Sequence, residues 1–335
     1  MCVLSVIVPV HNAERCISRC LESLLQQDVE SYEILCVENG SSDNSLAVLR
    51  QYERKFPHVV KVHSLSESGV SVARNFGIEH ARGEVLAFCD ADDYVIPKAY
   101  GHLLKAYWRA DTELLKFGSV TLDKYMMTTW VETNDVRGKM QFEGDSMSYV
   151  KVCGCFPTFV WCHLYSRKFI KKYNIRYERI AIGEDLIFNM KVYTSKAQML
   201  AVSSNIYRYT VSENQATRIR QTDKMKTMVF GYIKVFEKLI ECKKKYPELD
   251  SLVCKQIERE MLTCFSRVLS AKFTPKEYRR IKGRFRDLGI LSMKKTLFYT
   301  RIIDFSMQCY TTYLVVGFIH RFIFVPYVLP RMTRN

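Results

Sequence analysis

The stretch VLSVIVPVHN, residues 3–12, decides the fold of the N-terminal half of the chain. Its first eight residues are apolar and rich in β-branched side chains, except for Ser5, a pattern typical of a strand buried on both faces. Residues 13–27 follow directly, and their Cys, Ile and Leu side chains recur at helical spacing. A buried strand followed closely by an amphipathic helix is the repeating unit of α/β proteins.

The same strand–helix unit recurs before residue 90. Strands are predicted over residues 32–37, 58–63 and 85–89, with one helix ending at Tyr52 and another over residues 70–81. Short turns between these units predict a mostly parallel, doubly wound sheet. Ligands of such sheets bind beyond the carboxyl ends of the strands, so the polar residues at those ends form the candidate site. They lie at residues 9–12, 38–41, 64–69 and 90–93.

Charge is distributed unevenly along the 335 residues. The formal net charge is +15, but residues 1–100 carry 9 Lys and Arg against 14 Asp and Glu, whereas residues 201–335 carry 26 against 11. A uniformly basic nucleic-acid-binding protein would not show this asymmetry, which indicates an acidic catalytic half joined to a basic docking half. Apolar stripes at helical spacing from residue 223 onward predict that the basic part is helical.

Three carboxylates fall within four positions of FCDADDYVIP, residues 88–97. Such a group is stable only where a cation or a proton neutralises it. Asp90 and Asp92 point the same way from an extended strand end, and ligands that are all oxygen favour Mg²⁺ or Mn²⁺ over zinc. The alternative is a solvated acidic turn in which Asp93 caps a helix.

The chain resembles the family 2 glycosyltransferases, which use nucleotide sugars and have a GT-A fold, a Rossmann-like α/β architecture. The resemblance rests on four segments that occur in the family's order and span roughly the first 210 residues. They are SVIVPVHNAERCISRCLESLLQQ (5–27), EILCVENGSSDNS (33–45), SGVSVARNFGIEHARGEVLAFCDADDYVIP (68–97) and GEDLIFNMKVY (183–193). The resemblance implies sugar transfer from a nucleotide-diphosphate sugar, with inversion at the anomeric carbon.

The resemblance also implies roles for individual residues. Asp185 matches the catalytic base, with Glu184 beside it and Trp161 lining the acceptor site. Asp92 and Asp90 match the ligands of Mn²⁺ or Mg²⁺. The residues implied to bind the donor are Pro9, His11, Asn12, Glu38, Asn39, Arg74, Asp90 and Asp92.

Several of these residues have structural alternatives. Asp185 precedes an apolar run and could simply cap a helix, and Trp161 could pack in the core. Arg74 could bind the diphosphate or pair with Asp90. Where the family has two aspartates before Gly-Ser, this chain has Glu38 and Asn39, so the identity of the base that Glu38 would read stays open.

The basic C-terminal third predicts contact with a membrane surface. KEYRRIKGRFRDLG, residues 276–289, combines dense basic charge with interleaved Tyr, Ile, Phe and Leu, typical of a helix lying on an anionic bilayer. Residues 312–330 are nearly all apolar, but His320, Arg321 and Pro326 interrupt them. This favours an interfacial segment over a spanning helix, with a packed core helix as the alternative.

Together these features predict a GT-A domain over residues 1–220 and a helical, basic, membrane-associated region over 221–335. Within the domain, residues 1–100 form the nucleotide-binding half and residues 101–220 the acceptor half. The expected donor is a UDP-sugar, and the expected acceptor is a glycan or a polyprenyl-linked glycan of a cell-surface polysaccharide. The N-terminus reads as a strand and not as an export signal, which predicts a cytoplasmic enzyme, peripheral at the inner face of the cell membrane, with no nucleic-acid partner. The alternatives are a metal-dependent nucleotidyltransferase and a nucleic-acid-binding protein.

Overall fold

The computed structural model describes residues 2–122, 139–211, 222–292 and 313–314. The chain forms two compact units. The first comprises Met1–Arg179 and Glu184–Glu213, and the second comprises Ile180–Gly183 and Asn214–Asn335. The polypeptide therefore leaves the first unit for four residues, immediately before Glu184.

The N-terminal part of the first unit alternates strictly between strands and helices. In chain order the elements are β1 (Leu4–Val10), α1 (Ile17–Leu25), β2 (Tyr32–Glu38), α2 (Ser45–Lys55), β3 (Val60–Ser64), α3 (Val70–His80) and β4 (Val85–Phe88).

The rest of the first unit mixes short strands with helices. Its elements are β5 (Tyr94–Val95), α4 (Ala99–Arg109), β6 (Leu114–Leu122), β7 (Met140–Asp145), α5 (Ser146–Cys153), β8 (His163–Ser166), α6 (Arg167–Lys172), α7 (Glu184–Thr194) and β9 (Gln198–Thr210).

The nine strands of the described residues belong to one sheet in the order β3-β2-β1-β4-β8-β6-β9-β5, with β7 paired to β9. Strands β3, β2, β1 and β4 run parallel, as do β6 and β9, whereas β8 is antiparallel to both of its neighbours. Most paired residues therefore lie in parallel ladders, which confirms the predicted α/β fold class. The carboxyl ends of β1, β2 and β4 lie side by side at one edge of this sheet.

Close packing of α3 against β1 fixes one wall of that edge. A Cβ atom added at Gly77 would lie 2.4 Å from Cγ2 of Ile7, so only glycine allows the helix to approach the strand this closely. Strand β1 itself is buried along nearly its whole length. As a result, Arg74, one turn before Gly77 on α3, is held next to the sheet.

The second unit is helical in its described part. It contains α8 (Thr222–Lys245), α9 (Asp250–Ser270) and α10 (Pro275–Asp287), with single turns of 3-10 helix at Pro247–Leu249 and Ile290–Ser292. Thr274 and Glu277 form a capping box at the start of α10.

The apolar side chains of α10 point into the unit. Tyr278, Ile281 and Phe285 are buried, and the Phe285 ring lies 6.1 Å from Phe236 and 5.3 Å from Phe265. The expectation that these side chains face lipid is therefore wrong, because they complete the packing of three helices. Most basic residues of α10 are exposed, although Arg284 pairs with Glu237 of α8 and Arg280 lies over the Phe230 ring.

Within the described residues, none of the helices is both long enough and apolar enough to cross a membrane. The predicted interfacial segment, residues 312–330, lies outside the described residues except for Tyr313 and Leu314.

Candidate active site

Arg74 is the centre of the candidate site, and its side chain is only 4% exposed. One arm of its guanidinium donates to Oδ1 of Asp90 at 2.9 Å, just beyond β4. The other arm donates to Oδ1 of Asp185 at 2.5 Å and to Oε1 of Glu184 at 3.2 Å, both in the first turn of α7. A single buried cation therefore joins carboxylates from two distant segments of the sequence.

Arg74 cannot neutralise all of this negative charge. Burial raises the pKa of Asp185 above its ordinary value; Arg74 opposes the shift, while Glu184 and Asp90 add to it. A carboxylate with a raised pKa is better able to accept a proton near neutral pH than an ordinary surface aspartate. The burial and the charges around Asp185 therefore suit a group that accepts a proton.

The fold also fixes the orientation of the Asp185 side chain. Helix α7 begins at Glu184, so Asp185 lies inside the first turn and is not the N-cap residue. Its carboxylate accepts a hydrogen bond from Arg74, and the backbone of Val160 acts with Arg74 against the rise in the pKa of Asp185. Asn189, one turn further along α7, donates to the carbonyl oxygens of Pro157 and Phe159 at 3.1 Å each. These two hydrogen bonds attach residues 157–159 to the helix that carries Asp185.

The aspartates after β4 divide by burial. Asp90 and Asp92 are partly exposed, whereas Asp93 is fully buried and accepts bonds from the Tyr207 hydroxyl at 2.7 Å and the Thr210 amide at 2.7 Å. Burial, together with the charges of Asp90 and Asp92, raises the pKa of Asp93 to about 9. Asp93 therefore belongs to the framework, whereas the side chains of Asp90 and Asp92 stay partly exposed.

This pair of carboxylates fits a divalent cation that also binds phosphate. In the described part of the chain, no three His, Cys, Asp or Glu side chains cluster as a complete protein site for a metal ion. Mg²⁺ and Mn²⁺ are commonly held by one or two carboxylates, with substrate phosphates and water completing the shell. The donor set at Asp90 and Asp92 matches that arrangement.

Side chains also organise the loops after β1 and β2. Asn12 has a φ of 51°, and its Oδ1 accepts a bond from the Ser42 amide at 2.8 Å. His11 lies 3.3 Å from the Asn39 carbonyl oxygen through Nδ1. The ends of these two neighbouring strands, and with them the predicted donor-binding residues, are therefore brought together. Pro9 is partly exposed within β1.

Glu38 and Asn39 differ in how their side chains are used. Burial raises the pKa of Glu38, but hydrogen bonds from Ser41, Ser64 and Gly40 outweigh it and lower the pKa overall. The Glu38 carboxylate thus already holds its own loop together. In contrast, Oδ1 of the buried Asn39 has no hydrogen-bond partner in the structure as described. An unpaired buried acceptor at a strand end is suited to a donor group on a ligand.

Trp161 lies inside a stack of aromatic rings and is 4% exposed. Its ring is stacked on Tyr207 at 4.4 Å, on Phe159 at 4.8 Å and on Tyr209 at 5.6 Å. Phe159 is 51% exposed, so it presents the open face of the stack. The described structure therefore supports the core-packing alternative for Trp161 and places Phe159 at the surface.

Sequence reasoning missed Phe159 and Tyr207. Phe159 stands two residues before Trp161 in an irregular segment, where no periodicity separates exposed from buried rings. Tyr207 lies in β9, and nothing in the sequence around it indicates that its hydroxyl reaches the loop after β4. Both depend on contacts between segments that are far apart in sequence.

The sequence of the chain is similar to those of known glycosyltransferases. The model of glycosyl transferase family 2 matches residues 5–173. YibD, an uncharacterized glycosyltransferase of Escherichia coli (strain K12), is 27% identical over 306 residues, 86% of this chain and 89% of the relative. A poly(ribitol-phosphate) beta-glucosyltransferase of Bacillus spizizenii is 31% identical over 221 residues, 63% of this chain but 32% of the relative.

Solved structures show the same fold. S. aureus TarS 1–349, in complex with UDP-GlcNAc, matches with a TM-score of 0.69 at 18% identity, covering 95% of this chain and 91% of that one. The mannosyltransferase PcManGT from Pyrobaculum calidifontis, in complex with GDP-Man and Mn²⁺, matches with a TM-score of 0.54 at 13% identity, covering 95% and 87%.

Proposed function

Because the chain belongs to glycosyl transferase family 2 and has the GT-A fold, we propose that it moves a sugar from a nucleotide-diphosphate donor to a glycan or lipid-linked acceptor, with inversion. The observation that carries the proposal is the buried Arg74, which joins Asp90 on the donor side to Asp185. Relatives of this chain include the poly(ribitol-phosphate) beta-glucosyltransferase and a minor teichoic acid biosynthesis protein. The proposed acceptor is therefore a cell-surface polysaccharide.

The donor lies across the ends of β1, β2 and β4 in this proposal. Asn39 offers its unpaired Oδ1 to an N–H group of the base, and His11, Asn12 and Glu38 shape the loop beside it. A solved neighbour holds UDP-GlcNAc, which supports a UDP-sugar as the donor. Asp92 and Asp90 would hold Mn²⁺ or Mg²⁺, which stabilises the charge that develops on the departing diphosphate.

Asp185 takes the proton in the proposed reaction. The acceptor hydroxyl oxygen attacks the anomeric carbon from the face opposite the diphosphate, and its proton passes to the Asp185 carboxylate. The bond from the anomeric carbon to the diphosphate oxygen breaks, and the nucleoside diphosphate leaves with that electron pair. One displacement of this kind inverts the anomeric configuration.

Arg74 holds the carboxylate on the donor side and the carboxylate that accepts the proton at a fixed separation. Its planar fork spans Asp90 and Asp185 in a way that a lysine ammonium cannot. The contact with Asp185 also fixes the orientation of that carboxylate. The proposed role of Arg74 is therefore to position Asp185 relative to the donor loop.

The acceptor is proposed to lie against residues 157–161. Asn189, on the helix that carries Asp185, donates to the carbonyl oxygen of Phe159, and Phe159 exposes half of its ring. The apolar face of a sugar packs well against an aromatic ring. In this arrangement Phe159 contacts the acceptor, Trp161 supports Phe159 from beneath, and Glu184 lies beside the base.

The second unit is proposed to dock on an anionic membrane surface at the cytoplasmic face. Lys276, Arg279, Arg280 and Arg286 are exposed on α10, on the side opposite its buried aromatic residues. Each basic residue near an anionic surface contributes about 1 kcal/mol at moderate salt, so several together hold a protein reversibly. Because the apolar side chains of α10 are packed inside the unit, we propose that α10 binds the membrane by charge attraction and not by insertion.

Donor screening with Mn²⁺ tests the proposed function. The protein is incubated with UDP-sugars and GDP-sugars, first by thermal shift and then by measuring nucleotide products. A donor at a hundred times its Kd is expected to stabilise the fold by about 2.7 kcal/mol. Release of a nucleoside diphosphate, lost in EDTA and in Asp92→Asn, is the expected result.

The same assay distinguishes the alternatives. A nucleotidyltransferase releases pyrophosphate from a nucleoside triphosphate, and a nucleic-acid-binding protein retains RNA or DNA at physiological salt without using any nucleotide sugar. Either result, with no nucleoside diphosphate released from any donor, would overturn the proposal.

A further inference from the structure

Tyr207 holds the loop that carries Asp90 and Asp92. The residue lies in β9 and is fully buried. Its hydroxyl oxygen accepts a hydrogen bond from the Asp90 amide at 3.0 Å and donates one to Oδ2 of Asp93 at 2.7 Å. One phenolic oxygen therefore contacts both ends of the turn formed by residues 90–93.

Asp93 completes the attachment from the other side. Its Oδ1 accepts a bond from the Thr210 amide at 2.7 Å, and its own amide donates to the Asp90 carbonyl oxygen at 3.0 Å. The Asp93 carboxylate thus points back toward β9, away from the partly exposed Asp90 and Asp92. Of the three aspartates, this one is a support and not a ligand.

The middle of the turn is tied to the same strand. Arg19 of α1 donates to the Asp92 carbonyl oxygen at 2.6 Å and to the Thr210 hydroxyl at 3.1 Å. Strand β5, which follows the turn, pairs with β9 so that Val95 lies opposite Tyr207. The position of the turn is therefore set by β9.

We propose that Tyr207, together with Asp93, is a positioning residue that presents the Asp90 and Asp92 carboxylates to a divalent cation and a diphosphate. The inference rests on the proposed function in taking Asp90 and Asp92 as the cation ligands. Partners that orient metal ligands typically change metal affinity 10- to 100-fold when they are removed. Without the Tyr207 hydroxyl, the Asp90 amide and Oδ2 of Asp93 each lose a hydrogen-bond partner.

The chain contains a matched control. Tyr165 of β8 is also buried, and its hydroxyl donates to Oδ1 of Asn189 at 2.8 Å and to the Val160 carbonyl oxygen at 3.2 Å. These bonds hold the segment beside Asp185, and neither reaches residues 90–93. Tyr165→Phe and Tyr207→Phe remove the same atom from two buried rings, and the Tyr207 ring keeps its place against Trp161.

The test is a titration of Mn²⁺ in the presence of UDP, followed by electron paramagnetic resonance of the free ion. Tyr207→Phe is expected to weaken Mn²⁺ binding about 10- to 100-fold, whereas Tyr165→Phe stays within about twofold of wild type. Asp93→Asn, which keeps the shape of the side chain, is expected to weaken binding in the same direction as Tyr207→Phe. Thermal unfolding shows whether each variant is folded at the temperature of the titration.

Four outcomes would overturn the assignment. The first is that folded Tyr207→Phe and Asp93→Asn bind Mn²⁺ as tightly as wild type does. The second is that Tyr165→Phe loses as much Mn²⁺ affinity as Tyr207→Phe, since a general loss of packing would then explain the effect of either variant. If wild-type protein releases a nucleoside diphosphate but needs no divalent ion, the assignment fails while the proposed transfer stands. If wild type binds neither Mn²⁺–UDP nor a nucleotide sugar, the proposed function fails, and the assignment fails with it.

Discussion

The carboxylate cluster around Arg74 and the basic face of α10 use charge in opposite ways. The first holds three acidic side chains within 3.2 Å of one guanidinium that is almost fully buried. The second spreads its basic side chains over an exposed helix whose apolar side is packed inside the unit. Interactions between buried charges depend on the positions of the side chains and are little weakened by salt. Interactions of exposed charges are screened by salt.

This contrast predicts where substitutions are costly. Removing one partner of a buried ion pair leaves an uncompensated charge, while removing one exposed charge changes little. Substitutions are therefore expected to affect folding and catalysis most at the centre of the cluster and least on the surface of α10.

Arg74→Ala is expected to have the largest effect, a loss of about 3–5 kcal/mol in the free energy of unfolding at neutral pH. Without the guanidinium, the carboxylates at the site repel one another, so the loss should shrink as acid protonates them. Urea unfolding at several pH values measures this. The control is Arg179→Ala, which breaks an exposed pair with Glu67 and should cost less than about 1 kcal/mol. Equal losses in the two variants would remove the distinction between buried and exposed charge.

Asp185→Asn is expected to lower the transfer rate by about 10²- to 10⁴-fold, the usual contribution of a general base. Glu184→Gln, in the same turn, should reduce it far less. Because burial raises the pKa of Asp185, wild-type transfer should fall as the pH is lowered through that pKa, since the base must be ionised to accept a proton. Single-turnover rates across pH check both statements. A flat pH profile together with a rapid Asp185→Asn variant would contradict the role as base.

Phe159→Ala is expected to raise the acceptor KM about 3- to 10-fold, the range that loss of an aromatic contact implies, while donor binding stays unchanged. Trp108→Ala removes another exposed aromatic ring, one that lies on α4, and should leave the acceptor KM alone. Steady-state kinetics with varied acceptor measures the difference. If both variants behave like wild type, the exposed face of the stack does not contact the acceptor.

The smallest effect on chemistry is expected on α10. Replacing Lys276, Arg279 and Arg286 together by glutamine should weaken binding to phosphatidylglycerol vesicles by about 3 kcal/mol and leave donor cleavage unchanged. Lys255→Gln, an exposed basic residue on α9, is the control. Wild-type binding should fall steeply between low and high salt. Vesicle binding that ignores both salt and the triple substitution would show that α10 is not the docking surface.

The sequence predicted the elements from β1 to β4 well because each is defined by its own residues. Residues 3–10 are apolar except for Ser5, and the helices beside them keep their apolar side chains on one face. The placement of polar residues at the strand ends follows from parallel topology, which brings Asp90 near the loops after β1 and β2. The α/β fold class and the family were therefore predictable from local pattern and motif order.

The irregular part of the sheet was not predictable in the same way. Strand β8 has four residues and runs antiparallel between β4 and β6. The sequence of β8 does not indicate which strands it pairs with. The partners of Tyr207 and Tyr165 depend on that assembly, so these two residues could only be identified from the structure.

The site shows the same limit. Asp185, Asp90 and Arg74 were each predicted by motif, but their meeting on one guanidinium is a property of the folded chain. The residues in question lie on α3, after β4 and on α7. The roles assigned to Glu38 and Trp161 stay predictions, and the structure gives each of them a framework contact that the sequence did not indicate.

Calorimetric titration of UDP with Mn²⁺ into Asp92→Asn and Asp185→Asn tests the central claim most directly. The claim is that Arg74 joins two carboxylate groups with different tasks, one holding the donor and one accepting a proton. The account predicts that Asp92→Asn loses Mn²⁺-dependent UDP binding, whereas Asp185→Asn binds UDP as tightly as wild type and still fails to transfer sugar. Equal loss of UDP binding in the two folded variants would contradict it, because the cluster would then be one undivided donor site.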